Sequence, residues 1–142
     1  IFIKRVFMTQ NLDKFVTKMH LLSLSVIHEN APYPSNAFYA YDKEGSNLIV
    51  AGESKTTHIK VLKENNRVAV TIALDTKIVG KVQGVQILGT MREANDSEKK
   101  IYFKRYPYAL AMKPEIWTIE INYAKFTDNT LGFGNKEIWE RE

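Results

Sequence analysis

The stretch Arg67-Val68-Ala69-Val70-Thr71-Ile72-Ala73-Leu74 decides the class of fold. Val68, Val70, Ile72 and Leu74 fall on one face and Ala69, Thr71 and Ala73 on the other, the period of two that a strand requires. The second face is small and almost without polar groups, so both sides are expected to be covered. Downstream, Ile78, Gly80 and Val82 occupy even positions while Val85, Ile87 and Gly89 occupy odd ones, which predicts a bulge near Gly84. Upstream, Thr56 to Asn65 reads as a short helix, and Ala37–Tyr41 with Leu48–Ala51 as a hairpin. Its connection, Asp42-Lys43-Glu44-Gly45-Ser46, offers glycine for positive φ. Leu22, Leu24 and Val26 alternate with serines in a strand expected to end before Pro32 and Pro34. Ahead of it, Asn11 is placed to cap a helix over 11–20 whose stripe is Leu12, Phe15, Val16 and Met19. Toward the other end, Asn95 with Glu98 forms a capping box for a helix that Pro107 stops at Tyr106. Trp117, Ile119, Ile121 and Tyr123 then alternate in a last strand. About six strands and three short helices, without regular strand–helix alternation, predict a mainly β, α+β architecture built on an antiparallel barrel.

The chain has 142 residues, 44% of them apolar, with seven tyrosines, seven phenylalanines and two tryptophans. This describes a single domain over 1–142 that buries roughly two-thirds of its unfolded surface and needs no disulfide or metal to hold it. Cysteine is absent, which excludes a disulfide scaffold and a thiol nucleophile. Apolar runs are far shorter than the roughly 20 residues of a membrane helix, and no secretory leader is recognisable, so a cytoplasmic location is expected. The chain opens on Ile1, and residues 1–8 are expected to be irregular or non-native. A net charge of +4 favours anionic partners weakly and decides nothing alone.

His20, His28 and His58 lack the spacing of a metal site, and no metal is expected. The glycine signatures of serine hydrolases, P-loop NTPases and dinucleotide-binding folds are missing. The acids lie in turns and on polar faces, so no catalytic residue is assigned. One segment stands apart. Gly52-Glu53-Ser54-Lys55-Thr56-Thr57-His58 joins a strand end to a helix start and gathers an ammonium and three hydroxyls, a phosphate-binding composition.

Asn36-Ala37-Phe38-Tyr39 before the hairpin, Ser54-Lys55-Thr56-Thr57-His58 after it, and the stretch from Lys125 to Gly134 with Ile138-Trp139 together resemble a small bacterial branch of the pyridoxamine-phosphate-oxidase-like, FMN-binding split-barrel superfamily. The resemblance implies a six-stranded antiparallel split barrel that forms a homodimer with FMN in clefts between subunits. It implies that Asn36, Ala37, Phe38 and Tyr39 run along the flavin ring, and that Ser54, Lys55, Thr56 and Thr57, with His58 beside them, hold the phosphate. Gln86 would donate to the ring edge. Trp117 would reach the flavin, and Leu131 and Phe133, between two glycines, would cover it. Asn36 stands where the oxidases begin an arginine-rich strand. No counterpart is found for the arginine and histidine that grip pyridoxal phosphate, so that particular activity is not implied.

The function expected on this ground is that of an FMN-binding oxidoreductase working with a nicotinamide reductant or another small molecule. Haem in a related cleft is the alternative, with His20, His28 or His58 as axial ligand. A third class, a nucleic-acid module, would use Lys99, Lys100, Lys104 and Arg105 interleaved with Tyr102, Phe103 and Tyr106, and is the least favoured.

Overall fold

The computed structural model describes residues 8–142. The expectation of an irregular or non-native start therefore lies outside the described residues, except at Met8, which is buried in the core. The elements are α1 (Gln10–Lys18), β1 (Leu21–His28), β2 (Ala31–Asp42), β3 (Asn47–Ala51), α2 (Thr57–Lys60), β4 (Arg67–Ala73), β5 (Gln83–Glu93), α3 (Asp96–Arg105), β6 (Ile116–Asp128) and β7 (Lys136–Glu140). Six strands close into an antiparallel ring in the order β3-β2-β1-β4-β5-β6, because β6 pairs back onto β3, and β7 extends the sheet from β6. The ring is split by β6 itself. Its residues 116–120 pair with β3, whereas 123–127 pair with β7.

The expected alternation of β4 is present, with Val68, Val70 and Ile72 facing the barrel interior. Several local expectations are corrected. Pro32 and Pro34 do not end β1, which stops at a two-residue turn where Glu29 and Asn30 both take positive φ. The prolines sit inside β2 at alternate positions whose missing N–H faces away from β1, so the ladder loses nothing. The parity change before Val85 comes from a 3₁₀ turn at Val79–Lys81, not from a bulge at Gly84, and β5 is regular to Leu88. The bulge lies instead in β6, at Asn122, opposite Leu88 and Gly89. It moves the inward parity from Ile119 and Ile121 to Ala124 and Phe126, so Tyr123 leaves the core face. In addition, α1 is capped by Thr9 rather than Asn11, and the helix predicted over 56–65 is the single turn of α2 followed by 3₁₀ residues Val61–Lys63.

Leu12, Phe15 and Val16 of α1 plug the barrel, with Phe15 against Phe126 at 5.1 Å between ring centroids. The capping box of α3 forms as expected, and α3 packs outside the ring, where Tyr102, Tyr106 and Ala109 cover Ala40, Ile49 and Ile116. This arrangement leaves β3, β6 and the loop after β3 as one braced corner.

Candidate functional site

The corner is made where β3 runs out. Ala51 pairs with Ile116 and Val50 with Trp117, so the chain leaving β3 runs beside the start of β6. The Gly52 amide donates to the Glu115 carbonyl at 3.0 Å, and the Trp117 indole N–H donates to the Gly52 carbonyl at 2.9 Å. Beyond these pins, Ser54 turns its amide and its hydroxyl toward one carboxylate: Oγ donates to Glu115 Oε1 at 2.7 Å, and the amide donates to Oε2. Hydrogen bonds from the Ser54 hydroxyl and then its amide hold the Glu115 carboxyl below its ordinary range. Two donors here converge on one negative group. Lys55 is exposed, 3.4 Å from the Glu53 carboxylate, and Thr56 donates its hydroxyl to the Glu53 carbonyl at 2.7 Å. Thr57 opens α2. His58 is half-buried, and burial lowers its pKa.

The other sequence-predicted residues divide. Tyr39 is a core residue: its hydroxyl donates to the Val16 carbonyl at 2.6 Å, its amide to the His20 carbonyl, and its own carbonyl accepts from Arg105 and Tyr106. Every polar group of Tyr39 is thus engaged within the fold, and burial pushes its phenol well above the ordinary range. Ala37 packs against the core, while its neighbour Phe38 is 52% exposed and stacks on His20 at 5.7 Å. Trp117 is half-buried against the same core, its N–H spent on the loop.

A second cluster lies elsewhere. Asn36, Ser23, Thr71, Gln86 and Lys125 follow one another across β2, β1, β4, β5 and β6 on the outer face, with Ser23 donating to Asn36 at 3.0 Å. Gln86, Thr71, Thr127, Lys125 and Lys136 line a shallow groove of about 490 Å³. Among the described residues neither lysine has an ion-pair partner. Leu131 and Phe133 stand on the loop between β6 and β7 with Phe133 77% exposed, beside the turn at Val79 to which Asn129 is tied at 3.1 Å. Gln86 precedes Glu93, the partner of Trp117, by seven residues of β5. Gln86 and Trp117 are therefore about 20 Å apart along β5 in one chain. Sequence reasoning gave no role to Glu115, Lys125 or Lys136. Only the register of β3 on β6 brings Glu115 to Ser54, and no spacing rule predicts that pairing.

The basic and aromatic residues of α3 do not form an open platform. Tyr102 and Tyr106 are buried, and Arg105 is spent on the Met19 and Tyr39 carbonyls. Among the described residues no helix is long and apolar enough to cross a membrane, and no group of three metal-ligating side chains occurs.

The ring of six strands split by β6 defines the class: this is a split-barrel fold, shared with solved structures at low sequence identity. A heme binding protein from Mycobacterium smegmatis superposes with a TM-score of 0.73 at 12% identity over 89% of this chain, which spans 55% of that one. A FAD-binding protein from Mesorhizobium loti gives a TM-score of 0.68 at 16% identity, covering 84% of this chain and 94% of the other. No family model matches the chain. It is 38% identical over 134 residues to a UPF0306 protein of Enterobacter sp. strain 638, covering 92% of this chain and 94% of its relative. The chain belongs to the UPF0306 family.

Proposed function

We propose that the protein binds FMN as a cytoplasmic homodimer and works as an oxidoreductase with a nicotinamide or other small-molecule partner. The observation that carries this reading is the convergence of the Ser54 amide and hydroxyl on one anion. A phosphate monoester bears about −1.5 to −2 charges and satisfies its oxygens from such donors together with a mobile cation. Ser54 and Thr57 supply the donors and Lys55 the charge, while Thr56, spent on the Glu53 carbonyl, holds the turn. Phe38 offers an exposed aromatic surface close to the β3 end. FMN supplies hydride and single-electron chemistry, and this chain binds and orients it and shields it from water.

The seven residues of β5 between Gln86 and the partner of Trp117 support the dimer. The outer face of β1, β4 and β5 exposes Leu21, Ile27 and Leu88 among Ser23, Ser25, Ala69, Thr71 and Gln86, with Arg67 beside them, an apolar surface that a second copy would cover. Across such an interface Gln86, Leu131 and Phe133 of one copy serve the corner of its partner.

Lys55→Ala should weaken FMN about two- to fivefold, the range of a single exposed charge pair, and leave riboflavin unchanged, as titrated by quenching of flavin fluorescence. Equal losses for both ligands would remove Lys55 from the site. Haem is the second reading, favoured by one observation: His20 is exposed and held against the ring of Phe38. A Soret band lost in His20→Ala would support it.

A further inference from the structure

Glu115 precedes β6 with its backbone fixed, since its carbonyl accepts the Gly52 amide and Ile116 pairs with Ala51. Its side chain is exposed, and nothing but Ser54 holds it in place among the described residues. It nonetheless folds back so that both oxygens take Ser54 donors, the pair that a phosphate at this corner needs. Lys55 lies against Glu53 and leaves Glu115 without a counter-ion.

We propose that Glu115 is a resident anion in the phosphate seat, a specificity-determining side chain that a dianionic phosphate ester displaces and an uncharged ligand leaves in place. This rests on reading the corner as a phosphate seat. Displacement exchanges two charge-assisted hydrogen bonds for two of the same kind, so the ligand gains little from Ser54 alone. What it adds is its larger charge and its attraction to Lys55. The displaced carboxylate stays well within the Debye length of about 8 Å at physiological salt, so it opposes the phosphate after rotating away. Ambient monoanions have no charge advantage over Glu115. The corner therefore refuses chloride and simple carboxylates while admitting a phosphate monoester.

Glu115→Gln keeps the shape and removes the charge. Titrations of the whole chain with FMN, riboflavin and inorganic phosphate, the last followed at the Ser54 amide by NMR, test the assignment. FMN and phosphate should bind about two- to fivefold tighter in the variant, the size of one exposed charge interaction, with riboflavin unchanged. FMN and riboflavin weakening together would make Glu115 a brace of the loop only and overturn the proposal. An FMN preference over riboflavin that the variant leaves unaltered would also overturn it, while sparing the FMN reading. Phosphate tightening at Ser54 without any preference for FMN over riboflavin would uphold the role of Glu115 and remove the flavin. A Ser54 amide that phosphate does not move in either form would sink both.

Discussion

Gly89 shows how one missing atom sets the course of β6. A Cβ there would collide with the Glu120 carbonyl and press on Ile119, because the bulge at Asn122 draws the two backbones together. Gly89→Ala should cost about 1–3 kcal/mol, as overpacking does, measurable as a lower urea midpoint. Gly45 is a related case with a different cause from the one its turn suggested. Ser46, not Gly45, takes positive φ, and a Cβ at Gly45 would push aside the Asp42 and Asn47 side chains, which are hydrogen-bonded to each other at 3.1 Å. Trp117→Phe should remove about 1 kcal/mol with the bond to Gly52 and loosen the corner, seen as faster amide exchange at Ser54. Residue identity alone marked the Ser54 loop as rich in hydrogen-bond donors. It did not foretell that Tyr39 turns inward, since an aromatic in a half-buried strand suits either face until α1 and Arg105 are in place.

At the scale of elements, α3 is fixed by its cap and by one buried carboxylate. Glu98 returns to the Asn95 amide at 2.9 Å and also accepts two Arg92 hydrogen bonds at 2.8 and 2.9 Å, while Arg92 reaches Glu120 at 2.6 Å. Asn95→Ala should cost about 0.5–2 kcal/mol in thermal or urea unfolding. Hydrogen bonding from Arg92 holds the Glu98 carboxyl below its ordinary 4.5. The folded-state value being the lower one, the stabilisation is complete above that ordinary value and fades as pH falls through the folded one. Acid unfolding should therefore be shallower in Glu98→Gln than in the parent chain below about pH 4.5. The capping box was readable because both of its partners lie within four residues. The β1–β2 turn was not, because Pro32 and Pro34 signal a strand end wherever their outer neighbour is unknown. Nor was β7, whose apolar residues Ile138 and Trp139 are adjacent rather than alternating, so they give no period.

For the whole molecule, the antiparallel barrel was legible from alternation in β1, β4 and β5, but the closure of β6 onto β3 joins positions some 70 residues apart and leaves no local mark. The same limit hid half of the candidate site. Glu115 and Ser54 are 61 residues apart, and Gln86 stands seven residues of β5 from Glu93, the partner of Trp117. A second copy on the outer face of β1, β4 and β5 makes a direct prediction: Thr71→Arg should shift the protein from dimer to monomer in light scattering and weaken FMN with it, although Thr71 is on β4 and Ser54 follows β3. The most direct test of the central claim is the absorption spectrum of the freshly isolated protein, before and after FMN is added and excess removed. Flavin bands retained by the protein, and lost on exchange into FMN-free buffer at a higher rate in Lys55→Ala, are the result expected. A colourless protein that retains no flavin, or one showing only a Soret band, would contradict it.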